Sequence, residues 1–145
     1  MPYLRLTCPE TAPDERRRVA LRLTDAVNEL LFSSHGGPRR EELRERTTIH
    51  FMPYRPGELY IGGQTPEERG ADLTLELSDW NLSVATRRRL AARLTPLLAE
   101  LFAVTELGGV NIRFHAYAPS EFAVGGKLLS DVVPRAGQLM KRLSR

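Results

Sequence analysis

"TIHFMPYRPGELYIGG", residues 48–63, recurs 63 positions later as "NIRFHAYAPSEFAVGG", residues 111–126. The two stretches align without a gap and are identical at 7 of 16 positions. Self-similarity of this kind indicates that one structural unit occurs twice in the chain. The identical pairs are Ile49/Ile112, Phe51/Phe114, Tyr54/Tyr117, Pro56/Pro119, Glu58/Glu121, Gly62/Gly125 and Gly63/Gly126.

The segments upstream of these stretches repeat in the same order. Residues 16–31, "RRRVALRLTDAVNELL", match residues 87–102, "RRRLAARLTPLLAELF", at 9 of 16 positions. Further back, "PYLRLTCP" corresponds to "ADLTLELS", an alignment that pairs Pro2 with Ala71. The chain is therefore expected to be a single domain, 1–145, made of two pseudo-repeats at about 2–63 and 71–126, with a C-terminal arm over 127–145.

Hydrophobic periodicity gives each repeat the order strand, helix, strand, turn. Leu4, Leu6 and Cys8 alternate with more polar residues, as leucines 73, 75 and 77 do in the second half, which is typical of strands. The helical stripes comprise Val19, Leu23, Val27, Leu30 and Leu31 in the first half and Leu90, Leu94, Leu97, Leu98, Leu101 and Phe102 in the second.

Two strands joined by a helix should lie parallel, with a right-handed crossover. The predicted fold is therefore α/β (α+β), with a four-stranded mixed sheet and two helices on one of its faces. The other face would be bare, and we expect oligomerisation to cover it.

Composition excludes several classes of protein. The 145 residues are 41% hydrophobic and 27% charged, as in an ordinary globular domain, and no apolar run has the length of a membrane span. Cys8 is the single cysteine, so no internal disulfide can form, and a cytoplasmic location is expected. Histidines and cysteine lack metal-ligand spacing, and no phosphate loop or nucleic-acid signature accompanies the net charge of +3. We expect no metal, cofactor, membrane or nucleic-acid partner.

The Met1-Pro2 start, the doubled strand–helix–strand unit and the Gly-Gly after each second strand resemble the tautomerase superfamily. The chain is similar to its fused members, which include macrophage migration inhibitory factor, malonate semialdehyde decarboxylase and cis-3-chloroacrylic acid dehalogenase. Shorter members such as 4-oxalocrotonate tautomerase carry one unit per chain. The resemblance implies a homotrimer with active sites near subunit interfaces and a small carboxylate or enol substrate.

The resemblance makes Pro2 the expected catalytic residue. A free proline amine titrates near neutrality, at about 7.7–8.0 for a model α-amine, and burial in an apolar pocket lowers that pKa. The amine could then take a proton from one carbon and return it to another, or act as an acid when protonated. Both roles require removal of Met1, because an amide nitrogen is not basic. The alternative is that Pro2 is only a small residue before a strand.

Arginine suits carboxylate substrates, but the arginine positions of the family are mostly empty here. Where the decarboxylases and dehalogenases carry an arginine pair, this chain has "LSDWNLSV". The substrate-binding candidates implied by the family positions are Arg113, Asn111, Phe122 and Trp80, with Trp80 on a loop. An interface salt bridge is the alternative for Arg113, and packing or edge hydrogen bonding for the other three. Arg39 and Arg40, in the charged insertion 33–46, are further candidate cations.

Three functions remain open at this point. The first is an isomerase in which Pro2 moves a proton on a small enol or unsaturated keto acid, that is, a tautomerase. The second is a lyase of the same superfamily, of the hydratase or decarboxylase type. The third is a non-catalytic trimeric binding protein, which predicts that Met1 is retained or that the pocket is filled. The fate of Met1 separates the third function from the first two.

Overall fold

The computed structural model describes residues 1–35, 40–80 and 82–132. Two of the sequence predictions, the candidate cation Arg39 and most of the C-terminal arm, lie outside these residues. The elements are β1 (Tyr3–Pro9), α1 (Pro13–His35), α2 (Arg40–Arg46), β2 (Thr48–Tyr54), α3 (Pro66–Arg69), β3 (Leu73–Trp80), α4 (Val84–Leu101), β4 (Val110–Tyr117), β5 (Ala123–Val124), β6 (Lys127–Leu128) and α5 (Leu129–Val132).

The four long strands form one mixed sheet in the order β2–β1–β3–β4. Within each repeat the two strands are parallel, and the two repeats meet through the antiparallel pair β1–β3. The predicted four-stranded mixed sheet is confirmed. Because β1 and β3 run in opposite directions, the start of β1 lies beside the end of β3, although the two are distant in the sequence.

Both long helices pack on one face of this sheet, as the sequence predicted. The leucines that alternate along β1 and β3 are fully buried against α1 and α4. In α4 the stripe predicted from the sequence forms the buried side, and Ser83 caps the helix by accepting a hydrogen bond from the Thr86 amide at 3.1 Å. Pro96 lies inside α4 without ending it.

The strand register shows which residues of the two repeats are structurally equivalent, and it differs from the sequence alignment. Leu4 lies opposite Ile49 in the first repeat, and Leu75 lies opposite the equivalent Ile112 in the second. The residue equivalent to Pro2 is therefore Leu73, and the pairing of Pro2 with Ala71 was wrong by two residues. The same sequence offset relates the matched segments of the two long helices, so the first strand and the helix of each repeat align as one unit.

The Gly-Gly turns are confirmed in both repeats. Gly62 and Gly63 have φ values of 60° and 77°, and Gly125 and Gly126 have values of 58° and 81°. Two successive residues with positive φ form the tight turn that joins twisted antiparallel strands, and glycine adopts it without a steric cost. In the second repeat this turn connects β5 to β6, which pair antiparallel.

The sheet face opposite the helices, here called the open face, is more polar than the sequence suggested. The register sets His50, Arg5, Glu76 and Arg113 in one row across it. The Arg5 guanidinium donates to the Glu76 carboxylate at 3.0 Å and lowers the pKa of that carboxyl. The edge strands β2 and β4 remain unpaired on their outer sides in the described chain.

No helix in the described part of the chain is both long and apolar enough to cross a membrane.

Candidate functional site

Several polar groups converge where the chain begins. The Met1 ammonium donates to the Asp79 carboxylate at 2.8 Å and to the Tyr117 hydroxyl at 3.3 Å, and that hydroxyl donates to the Met1 carbonyl at 3.3 Å. Pro2 is buried, and its carbonyl accepts a hydrogen bond from the Thr48 amide at 3.0 Å. We call Met1, Pro2, Asp79 and Tyr117 the N-terminal cluster.

Asp79 reaches the N-terminal cluster because it continues the alternation of β3. Leu73, Leu75 and Leu77 face the helices, and Asp79 takes the next position on the same face, with no exposed side-chain surface. The last pairs of the β1–β3 ladder join Leu4 to Leu77 and Tyr3 to Ser78, so Pro2 comes next, beside Asp79. A buried carboxylate is costly unless it is paired and hydrogen-bonded. Here the pairing group is the chain terminus, and the Trp80 amide adds a hydrogen bond at 2.9 Å.

Tyr117 closes the cluster from β4. It lies opposite Trp80 at the end of the parallel β3–β4 pair, which carries its hydroxyl to the terminus. Burial, followed by the negative charge of Asp79, raises the pKa of Tyr117, so the phenol stays protonated at neutral pH and remains a donor. The Phe122 ring stacks on the Tyr117 ring with centroids 5.3 Å apart and an angle of 23° between planes.

Arg46 brings a cation to the rim of the cluster. It is the last residue of α2, and its Nη1 lies 3.9 Å from the Met1 sulfur. The neighbouring Arg44 forms an ion pair with Asp25 of α1, which holds α2 beside the start of β2. Removal of Met1 would empty the space that its side chain occupies beside Arg46 and that its ammonium occupies beside Asp79 and Tyr117. The emptied volume would offer one buried acid, one phenol and one guanidinium to a small molecule.

The opposite end of the β1–β3 pair carries the equivalent arrangement without a chain terminus. Tyr54, the repeat partner of Tyr117, donates to the Asp72 carbonyl at 2.9 Å and accepts from the Asp72 amide at 3.3 Å. Cys8 takes the position equivalent to Asp79, and burial raises its pKa to about 11. A groove of about 620 Å³, lined in part by Asp72, Glu106 and Asn111, lies at this end.

No protein-family model and no curated protein matches the sequence. Solved structures do match. A fused 4-OT, described as the F6 wild-type asymmetric trimer, has a TM-score of 0.75 at 17% identity, over 91% of this chain and 99% of that one. Pt0534, inactivated by 2-oxo-3-pentynoate, gives 0.72 at 16%, over 91% and 99%. N1, a member of the cis-3-chloroacrylic acid dehalogenase family, gives 0.68 at 16%, over 98% and 90%. This chain has the fold of the tautomerase superfamily.

Three of the residues singled out from the sequence lie together at one end of this tautomerase fold. Pro2 immediately precedes β1, Trp80 ends β3 beside it, and Phe122 contacts the cluster through Tyr117. The placement of Trp80 on a loop was wrong, because β3 extends through Trp80 and pairs it with Tyr117. Trp80 is half-buried, so the packing alternative for it stays open.

The other two predicted substrate-binding residues do not meet Pro2 within one chain. Asn111 is the second residue of β4, at the far end of the sheet, where its amide donates to the Asp72 carboxylate at 3.2 Å. Arg113 is exposed on the open face, in register with Glu76. Within a single chain of this tautomerase fold, neither side chain belongs to the N-terminal cluster.

Sequence reasoning missed three members of this site, namely Asp79, Tyr117 and Arg46. Two signals were present. A carboxylate at Asp79 interrupts the apolar face set by the preceding leucines, and the matched tyrosines of the repeats mark Tyr117. Arg46 carried no signal of its own, since only the path of α2 brings it to the terminus. In the described part of the chain, no group of three or more histidine, cysteine or acidic side chains could hold a metal ion.

Proposed function

We propose that this chain, once Met1 has been removed, is an acid–base catalyst in which Pro2 moves a proton on a small enol or unsaturated keto acid. The observation that carries the proposal is the N-terminal cluster, in which a buried carboxylate and a protonated phenol meet at the start of a rigid strand. Removal of Met1 turns the amide nitrogen of Pro2 into a secondary amine at this place. The similarity to fused 4-OT structures adds support at the level of the fold.

Arg46 is the proposed carboxylate-binding residue of the same site. Its guanidinium lies against the Met1 side chain, so a substrate that takes the place of that side chain would meet it. The planar fork of arginine accepts both oxygens of a carboxylate. The phenol of Tyr117 would donate to the developing oxyanion, and Phe122, stacked on it, would wall the site. Arg113 and Asn111 belong to the proposal only as residues that a neighbouring subunit would contribute.

The proposed assembly is a homotrimer. The open face and the outer sides of β2 and β4 are uncovered in the single chain, and Tyr3 and Met52 expose 41% and 42% of their surface there. The F6 fused 4-OT structure is described as a trimer. Native mass spectrometry should give three chains per particle, and a monomer at micromolar concentration would reject the assembly. A cytoplasmic location remains part of the proposal, because Cys8 is a free, buried thiol.

The decisive experiment begins with the intact mass of untagged protein. Loss of Met1 is expected, and ketonisation of phenylenolpyruvate or 2-hydroxymuconate is then followed by absorbance for wild type and Pro2→Ala. The variant keeps an N-terminal amine but replaces the rigid secondary amine of the proline ring by a primary one, so turnover should fall by about 100-fold, within the range of a general acid–base residue. Equal rates would reject Pro2 as the catalytic group. Retained Met1 with no turnover would favour the non-catalytic binding protein.

A lyase is the second candidate, and Asp79 is the observation that favours it. A carboxylate next to the amine stabilises the ammonium form, and the addition of water to an unsaturated acid requires a proton donor. The compound named for Pt0534, 2-oxo-3-pentynoate, separates the two candidates. Addition of water across its triple bond puts oxygen on C4 and a proton on C3, and tautomerisation of the resulting enol gives the 2,4-diketone. Conversion to the diketone without a protein adduct would support the lyase, whereas recovery of unreacted compound would count against it.

A further inference from the structure

We propose, on the basis of the proposed function, that Asp79 holds the Pro2 amine of the processed chain in its protonated form, so that the resting site presents an acid. The Asp79 carboxylate is fully buried and lies 2.8 Å from the terminal ammonium of the full-length chain. Asp79 follows Leu77 on the helix-facing side of the sheet, and the antiparallel register brings it beside Pro2.

The burial of Asp79 favours a positive charge beside its carboxylate. Moving a carboxylate out of water costs several kcal/mol unless a cation and hydrogen bonds compensate it. The ammonium of Met1 supplies that cation in the full-length chain, and the Trp80 amide supplies a hydrogen bond. When Met1 is removed, the chain terminus moves by one residue but stays beside Asp79. A protonated Pro2 restores the pair of charges, whereas a neutral amine places no positive charge there.

Two other charged or titratable groups that the described residues place at the terminus do not reverse this preference. From β4, Tyr117 faces the terminus as a neutral phenol, because its pKa is raised. From α2, Arg46 lies at the rim, where its positive charge opposes the ammonium but is exposed to solvent. Charges in water interact far more weakly than buried ones, so the contact with Asp79 dominates.

An acid at Pro2 changes the first step of the reaction. In ketonisation, a proton moves from the Pro2 ammonium to the substrate carbon and forms the new C–H bond. The enol O–H bond breaks, its proton passes to solvent, and the amine then regains a proton from solvent. The reaction leaves no net change in protons. Turnover should therefore fall as the pH rises through the pKa of the amine, and Asp79 acts as a positioning residue that sets where this fall occurs.

The test is a direct titration of the amine. Protein labelled with ¹⁵N-proline, freed of Met1 by a methionine aminopeptidase where necessary and checked by intact mass, is titrated by NMR. The Pro2 nitrogen of the wild type should titrate above the ordinary range of about 7.7–8.0. In Asp79→Asn the midpoint should fall by about one to three pH units, the usual effect of removing an adjacent opposite charge.

The control is Asp14→Asn, which removes an exposed carboxylate in the first turn of α1, after the far end of β1. It should leave the midpoint within about 0.3 pH units of the wild type, because a solvent-exposed charge that far from the amine is largely screened. An Asp79→Asn midpoint equal to that of the wild type would overturn the proposal. If Asp79→Asn does not fold, a wild-type midpoint at or below about 7.7 overturns it and a higher one upholds it.

This titration does not depend on turnover. A proposal about Asp79 can therefore fail while Pro2→Ala still abolishes activity, and it can hold in a protein for which no substrate reacts. The two proposals are thus tested separately.

Discussion

Replacing Tyr54 and Tyr117 by phenylalanine, one at a time, separates a structural tyrosine from a functional one in equivalent positions of the two repeats. The Tyr54 hydroxyl is held at both Asp72 backbone groups, at 2.9 and 3.3 Å, and the residue exposes only 7% of its surface. Each hydrogen bond contributes about 0.5–1.5 kcal/mol net, so Tyr54→Phe should cost about 1–3 kcal/mol of unfolding free energy. Its turnover should match that of the wild type.

Tyr117→Phe should give the opposite result. Its hydrogen bonds to the ammonium and the carbonyl of Met1 are longer, at 3.3 Å each, and are absent from the processed chain. The loss of unfolding free energy should therefore stay below about 1 kcal/mol. A hydrogen bond to a charged group is worth about 1.5–3 kcal/mol, so loss of the phenol from an oxyanion should slow turnover by about 10- to 100-fold.

Urea unfolding and steady-state kinetics measure the two effects on the same preparations. With a slope of about 1–3 kcal/mol per molar urea, Tyr54→Phe should lower the midpoint by a readily measured fraction of a molar or more. All samples need the same protomer concentration, because assembly contributes to stability. If the two variants lose stability and turnover to the same extent, the assignment of separate roles is refuted.

Three further predictions concern the cation, the thiol and the core. Arg46→Gln should raise KM about tenfold with kcat within about twofold, because it removes a binding contact, while Arg55→Gln, an exposed control, should change neither. Burial raises the pKa of the Cys8 thiol from 9.0 to about 11 in the folded chain. The neutral thiol therefore contributes its full share of the unfolding free energy below pH 9, and this contribution is lost as the pH rises towards 11. This loss amounts to about 3 kcal/mol in urea unfolding, and the Cys8→Ala profile should be flatter by that amount. Leu75→Ala, at a fully buried position of the central strand pair, should lower the unfolding free energy by about 2–5 kcal/mol, measured by urea unfolding.

The architecture could be predicted from the sequence because the repeat and the periodicity point to the same units. The alternating leucines of β1 and β3, the apolar stripes of the two long helices and the paired glycines each specify a local structure, and the structure contains all of them. Local patterns of this kind depend only on neighbouring residues.

The strand register could not be predicted in the same way. Shifting a strand by two residues leaves every side chain on its original face, so leucines at positions 73, 75 and 77 fit more than one alignment with Leu4 and Leu6. The alignment that paired Pro2 with Ala71 satisfied the pattern, although the ladder requires Leu73. The approach of Asp79 to Met1 depends on the same antiparallel ladder, so it could not be read from the sequence either.

The two ends of the β1–β3 pair explain why one chain would carry one proline site. Each end has a tyrosine from the neighbouring edge strand and a buried thiol or carboxylate on the helix-facing side. At the end that holds Tyr54, the chain continues through Asp72, so the hydroxyl is occupied by an ordinary amide and carbonyl. A buried carboxylate there would lack a cation, and an uncharged thiol, Cys8, avoids that cost. At the other end the chain begins, a terminal ammonium is available, and Asp79 can remain charged in the interior. The charge of Asp79 and the charge of the terminal amine therefore stabilise each other. Replacing Asp79 by a neutral residue should leave an uncharged buried side chain at this end of the sheet, as Cys8 is at the other end.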